Sequence, residues 1–216
     1  MRTRYEKQLK QLNHEMIHMG ALIEKAIESA ITALVNQDRE LAQKIMARDQ
    51  EINEQENTIE SLCTRLLLCQ QPVATDLRNV SAALKMVTDM ERIGDQAADI
   101  AEISLGLQGQ SYIKKMEHIP EMARETTDMV VKSMEAYVER NLNKAQAVIN
   151  QDDKVDSLFS CVRSELIELI AQDRSLGEQA ADLLMVAKYF ERIGDHATNI
   201  AEWVIYSITG VHKSQN

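Results

Sequence analysis

The sequence predicts an all-α fold: two tandem three-helix units, six long helices in all, the second repeating the first. Three observations carry that expectation. First, aromatic residues make up only 4% of the 216 residues, with 7 Gly and 2 Pro, too few for the turns and bulky strand residues of a sandwich or barrel. Second, 44% of the chain is hydrophobic, enough for a real core, and it is supplied mainly by the Leu, Ile, Met, Val and Ala that fill long helices. Third, the segment Glu91–Glu102 recurs at an offset of 100 as Glu191–Glu202, with only Gln96, Ala98 and Asp99 changed, to His196, Thr198 and Asn199. A weaker likeness at an offset of 103 relates Asp49–Asn53 to Asp152–Asp156. Repetition of this extent divides the chain into similar units, residues 1–109 and 110–216.

Each helix has its own signal. The first runs from Tyr5 to Val35, where Met16, Met19, Ile23, Ala26, Ile27, Ala30 and Leu34 recur at spacings of three and four. Asn36, Gln37 and Asp38 end it. The second carries Leu41, Ile45, Ile52, Ile59 and Leu66 to Cys69, and closes at Gln70-Gln71-Pro72, because Pro72 disfavours helical geometry in the residue before it. The third spans Thr75 to Leu105 and stops at Gly106 and Gly109. Ser111 is available to cap the next helix. In the second half, Pro120 stands in the first turn of a helix reaching Arg140, or marks a kink in it. Asn141 and Asn143 form the next break, and a helix from Lys144 to Ala171 comes after it. The last helix starts after Ser175, whose spacing to Glu178 fits a capping box, and ends before Gly210. Helices of this size are roughly 45 Å long, so the product is an elongated bundle.

Charge and cysteine usage narrow the class. A formal charge of -10 argues against a broad basic footprint, so no nucleic-acid partner is expected. The three cysteines, Cys63, Cys69 and Cys161, form no CxxC or zinc spacing and read as buried packing thiols of a reducing compartment. No apolar run approaches the length of a membrane span, and Met-Arg-Thr-Arg-Tyr-Glu is unlike a signal peptide. A cytoplasmic location is expected, with membrane contact only through a surface or partner. The eleven Met residues read as gap-fillers of the bundle, and His14, His18, His118, His196 and His212 as surface residues.

The repeated segment carries the chemistry. On a helical wheel Asp95 lies about 40°, Asp99 about 80° and Glu102 about 20° from Glu91, so four carboxylates share one face. Ile93, Ala97 and Ile100 take the packing side with Met86 and Met90. Glu191, Asp195 and Glu202 repeat the acids, Asn199 standing in for the third. The preceding helices add Asp152 with Asp156 in the second half, and Asp49 with Asn53 in the first. Acidic helix faces are ordinarily solvated surface, and like charges at i,i+4 are destabilising by a few tenths of a kcal/mol. Repeating the stack, with a mid-helix Gly94 or Gly194 and a flanking Arg92 or Arg192, points instead to cation binding. An all-oxygen set suits magnesium, calcium, manganese or oxidised iron. The candidate metal ligands are Asp49, Glu91, Asp95, Asp99, Asp152, Asp156, Glu191 and Asp195. Arg92 and Arg192 are salt-bridge candidates across the bundle, or partner contacts. The glycines leave room for a metal cluster or for a closely approaching helix. Neither ERIGD segment contains an ExxH pair, no phosphate-cradling loop or nucleophile elbow is found, and an enzyme is not expected.

Gln70-Gln71-Pro72-Val73-Ala74-Thr75-Asp76-Leu77-Arg78, Glu91-Arg92-Ile93-Gly94-Asp95 and Glu191-Arg192-Ile193-Gly194-Asp195-His196, with the early Met19-Gly20 and Glu24-Lys25-Ala26, closely resemble the PhoU family, regulators of phosphate-specific transport. The resemblance spans essentially the whole chain. It implies two tandem three-helix bundles related by internal pseudo-twofold symmetry, whose E(D)xxxD pairs hold multinuclear clusters of divalent or trivalent iron, zinc, manganese or magnesium. Glu91, Asp95, Asp152, Asp156, Glu191 and Asp195 match those pairs and Asp49 matches in part, while Asn53 and Asn199 depart, so the halves are expected to bind metal unequally. It further implies a negative regulator of the phosphate-starvation response that restrains uptake. Such a protein is an adaptor between the ATP-binding subunit of a phosphate ABC importer and a membrane sensor histidine kinase, at the inner face of the plasma membrane. A homodimer is the expected assembly. The competing classes are a metal-storage or chaperone-like bundle and a carboxylate-metal hydrolase.

Overall fold

The structure is a computed structural model and describes residues 2–69, 74–109, 112 and 117–211. Six helices account for nearly all of them: α1 (Arg2–Asn36), α2 (Arg39–Cys69), α3 (Ala74–Gly106), α4 (His118–Glu139), α5 (Leu142–Gln172) and α6 (Gly177–Thr209). The expected break at Gln70-Gln71-Pro72, the expected cap at Ser111 and the side chains of Cys69 and His212 lie outside the described residues. No helix among those described is long and apolar enough to cross a membrane.

Within each half all three helices touch one another. Between halves, α3 packs along α6 and α1 packs on α4, while α2 and α5 stay outside. Each inner helix therefore meets its own counterpart, as a pseudo-twofold axis requires. Side chains at the seam obey the same rule. Asn199 Nδ2 donates to Asp89 Oδ1 at 3.1 Å, and at the reciprocal positions Tyr189 hydrogen-bonds Asp99. The core is continuous through both halves: Met16, Met19, Ile23 and Ile27 of α1, Met86, Met90 and Ile93 of α3, and Phe190 of α6 are fully buried. Burial of so many Met and Leu side chains, at about 1.5–3 kcal/mol each, holds six helices whose individual propensities are ordinary.

The two interhelical turns repeat in backbone as well as topology. Gln37 and Arg140 both adopt positive φ, 52° and 53°. Asp38 N–H reaches Ala33 O and Asn141 N–H reaches Ala136 O, each at 3.0 Å. These are paired Schellman endings with a non-glycine residue at the left-handed position. Asp38 Oδ1 then accepts from Leu41 N–H, and Asn141 Oδ1 accepts from Asn143 and Lys144 N–H. The offset of 103 thus extends from α1 and α4 through α2 and α5. We predict that Asn141→Ala lowers stability by about 1 kcal/mol in urea unfolding, because two first-turn amides of α5 lose their acceptor.

Several boundaries differ from the sequence expectation. Asn143 belongs to the first turn of α5, with Asn141 as its cap. Ser175 does not cap α6: it lies in a 3₁₀ turn, Arg174–Leu176, capped by Asp173, whose Oδ1 accepts from Ser175 N–H at 2.9 Å. The α6 N-cap, Leu176, has no side-chain capping bond. Pro120 sits in the first turn of α4, where a missing N–H has no intrahelical acceptor to lose. Cys161 is exposed, whereas Cys63 is buried and its thiol is pushed up to about 12 by that burial. His196 lies in the seam rather than on the surface, with Nδ1 at 2.9 Å from Asp89 Oδ1, and His118 pairs with Glu165 at 3.1 Å.

Candidate metal centres

Two acidic clusters occupy equivalent places, one where α2 crosses α3 and one where α5 crosses α6. Each is brought together by a buried glycine. A Cβ on Gly94 would lie 2.8 Å from Cδ1 of Ile52, and one on Gly194 would lie 3.2 Å from Oδ1 of Asp152 and 3.4 Å from Cγ1 of Val155. Of the two readings of these glycines, close helix approach is the one the structure displays. The outer helix can then set its acids against those of the inner one.

In the second half Asp152 and Asp156 of α5 face Glu191 and Asp195 of α6. The Asp152 carboxyl is pushed up to about 6, by burial first and then by the charges of Asp195, Asp156, Asp153 and Glu191. Asp195 is also raised, by burial and Glu191, with Lys188 opposing. Lys188 is the resident cation here: it pairs with Glu191 and lies 5.4 Å from the centre of the Phe159 ring.

In the first half Asp49 of α2 is raised by burial and by Asp95 and Asp99, while Asn53 Nδ2 donates to its Oδ2 at 3.3 Å. Its other oxygen, Oδ1, is buried with no hydrogen-bond partner among the described residues. Glu91 is raised by burial and Asp95 and lowered by Arg92. Glu56 joins this cluster: burial, then Glu91 and Glu60, raise it. Sequence reasoning missed Glu56 because it followed i,i+4 pairs alone. Glu56 is seven residues from Asp49, two turns along the same face. Its counterpart at the 103 offset is Phe159, so the halves divide the work differently: a carboxylate in one, an aromatic ring under Lys188 in the other.

The remaining candidates sort by position. Asp99 is turned to the seam, where burial raises it, the Tyr189 bond and Arg192 lower it, and Asp95 and Glu102 raise it. Asn199 departs from Asp for a local reason: its partner is the carboxylate of Asp89, which an acid would repel. Arg92 bridges the acids of its own helix, at 3.4 Å from Glu91 Oε2 and 3.0 Å from Asp95 Oδ2, and its charge also reaches Glu56 of α2. Arg192 acts across the seam, on Asp99.

The donors fit a hard cation chemically. They are carboxylate oxygens, several held above their usual range, and one buried oxygen has no donor. Among the described residues no three His, Cys, Asp or Glu side chains converge closely enough to hold a metal ion as they stand. Coordination therefore requires the side chains to swing together.

The PhoU domain family model matches twice, over residues 16–104 and 119–204. A phosphate-specific transport system accessory protein PhoU homolog of Clostridium acetobutylicum is 41% identical over 213 residues, covering 98% of this chain and 97% of that one. The Escherichia coli accessory protein PhoU is 29% identical over 206 residues, 95% of this chain and 86% of its own. The crystal structure of PhoU from Pseudomonas aeruginosa superposes with a TM-score of 0.92 at 31% identity, over 96% of this chain and all of that one. One family domain in each repeat, and a likeness that runs nearly end to end in both sequence and fold, make this chain a member of the PhoU family.

Proposed function

We propose that the protein is a non-enzymatic regulator of a phosphate transport system. In this reading it holds the phosphate-starvation response off when phosphate is plentiful and restrains uptake. Its relatives are named as accessory or regulatory proteins of phosphate transport, which supports this over a hydrolase or storage role. The ATP-binding subunit of the importer and a membrane sensor histidine kinase are the partners, met at the inner face of the membrane. The observation that carries the mechanism is the pair of like-charged clusters at equivalent crossings. Asp49, Glu56, Glu91 and Asp95 hold metal in the first repeat, and Asp152, Asp156, Glu191 and Asp195 in the second. A di- or trivalent cation such as magnesium, manganese, iron or zinc supplies the positive charge these acids lack. The carboxylates then fix the angle of α2 on α3 and of α5 on α6. A platform so fixed presents both outer helices in one relative placement, so that docking on the importer biases the kinase. The expected assembly remains a homodimer.

Deleting the gene should raise alkaline phosphatase activity in excess phosphate, and complementation should lower it again. Unchanged activity would rule out the regulatory reading. For the metal step, Glu191→Gln with Asp195→Asn should remove one class of Mn²⁺ sites in calorimetric titration and leave the first repeat's sites intact. An unaltered isotherm would remove these residues from the ligand set.

A further inference from the structure

The first repeat carries a cavity of about 230 Å³ between α1 and α2, with Gly94 of α3 at its base. Leu22, Ala26 and Ile45 give it apolar walls, and Lys25, Lys44 and Arg48 stand over them. Three cations gathered on one groove are unusual in a chain of net charge -10. Lys25 and Arg48 make no ion pair or hydrogen bond among the described residues, and Lys44 only approaches Glu40 at 4.0 Å. Two acids also border the groove, Asp49 and Glu51. Asp49 is also next to Asp95 and Asp99 of α3, whose charges raise its carboxyl.

The second repeat supplies an internal control. At the 103 offset, Leu22, Lys25 and Arg48 become Glu125, Asp128 and Gln151. There the polar groups satisfy one another. Gln151 Nε2 donates to Glu125 at 3.0 Å and to Asp128 at 2.9 Å, Lys132 pairs with Asp128, and Lys154 reaches Glu125 at 2.9 Å. The first repeat has neither acid at these positions, and its groove sets Lys25, Lys44 and Arg48 over an apolar wall with Asp49 and Glu51 at the border. A closed electrostatic network in one repeat has become an open, cationic, apolar-walled groove in the other.

We propose that this groove binds a small phosphate monoester with an apolar body, the phosphate on Lys25 and Arg48 and the body on Leu22, Ala26 and Ile45. Arg and Lys both suit phosphate oxygens, the first bidentately. The volume is at the small end of ligand pockets, which limits the body to about one ring system or a short alkyl chain. Inorganic phosphate alone leaves the apolar walls unused. An aryl phosphate and an alkyl phosphate share the required chemistry and are the two sources to separate. This site rests on neither the metal nor the transport reading, although Asp49 borders both the groove and the first acidic cluster.

The test is titration of the full chain, in EDTA-treated buffer, with phenyl phosphate, hexyl phosphate and inorganic phosphate. At least one organic phosphate should bind about tenfold or more tightly than inorganic phosphate, and which one does so identifies the source. Lys25→Asp and Arg48→Gln, each borrowing the residue of the second repeat, should weaken that binding by about tenfold or more. Lys85→Asp, on α3, should leave it unchanged. Amide shifts in the NMR spectrum of the wild type should centre on Ala26 and Ile45, a readout that needs no variant to fold. Equal binding of inorganic phosphate, undiminished binding in both variants, or shifts centred elsewhere would each overturn the proposal.

Discussion

In metal-free buffer at neutral pH, Asp152→Asn should melt higher than the wild type, and in excess Mn²⁺ the order should reverse. The first half follows from the acidic cluster. The Asp152 carboxyl is raised to about 6 in the folded protein, by burial and by the charges around it, while an unfolded Asp titrates near 3.9. Between those values the folded state binds more protons, so stability is full below about 4 and is lost as pH rises through about 6. Above that window the ionised carboxylate works against the fold. Removing the charge recovers about 1 kcal/mol once the shift is discounted for the solvent that reaches this partly exposed group. That corresponds to roughly 2–4 °C in Tm for a chain of this size. The gain should vanish at pH 4, where wild-type Asp152 is already largely protonated. The second half follows from the ligand role. A cation at 100 times its Kd stabilises by about 2.7 kcal/mol, and the variant, short of a charged donor, should lose most of that. Calorimetric melts across pH 4–8, with and without Mn²⁺, separate the two effects. Equal stabilisation of both proteins by Mn²⁺ would take Asp152 out of the ligand set. No gain in metal-free buffer would show that the cluster is not under charge strain.

The fold was largely readable because the helical signals are redundant: a long apolar stripe, a near-exact repeat and few turn residues all agree. What was not readable had particular causes. The turns at Gln37 and Arg140 use non-glycine residues in the left-handed region, so no glycine advertises the Schellman ending. Asp173 displaced Ser175 as a cap because a one-turn 3₁₀ segment intervenes before α6, and nothing in Ser175 and Glu178 signals that turn. In the site, the inner-helix acids were visible because they repeat. Glu56 was not, since its counterpart is Phe159 and a search by repetition cannot find what the repeats do not share. His196 was misplaced for a related reason. Its counterpart Gln96 gives no sign that position 196 meets Asp89, and that contact exists only once α3 and α6 are laid together. Contacts between repeats are thus the part that a single helix wheel hides, and they explain why Asp99 and Asn199 differ: each answers the residue across the seam.

Gly94→Leu should cost about 2–3 kcal/mol, a fall in Tm of roughly 5–10 °C, although leucine is by far the better helix former. Propensity favours the change by about 1 kcal/mol, so overpacking must exceed it. The space decides: even a methyl group at position 94 would come within 2.8 Å of Cδ1 and 3.1 Å of Cγ2 of Ile52. Ile52 is itself only 4% exposed, and both branches of its side chain lie against position 94. Ile52→Ala alone should also destabilise, by about 2–5 kcal/mol, because it opens a cavity at the same crossing. Combined, the two should cost less than their sum by about 1–3 kcal/mol, the new leucine filling the space the isoleucine left. Urea unfolding of the four proteins measures that coupling, and simple additivity would show that α2 and α3 are not held apart by this contact. Gly194→Ala provides the contrast. Its added methyl meets Asp152 Oδ1 at 3.2 Å and Val155 Cγ1 at 3.4 Å, contacts that a few tenths of an ångström relieve. Stability there should change little, since the helix gains what the contact loses, while the side chain that must yield is the carboxylate of the second acidic cluster. One glycine therefore guards the packing of its crossing and the other guards the placement of a carboxylate, a division that follows from Ile52 lying over the first and Asp152 over the second.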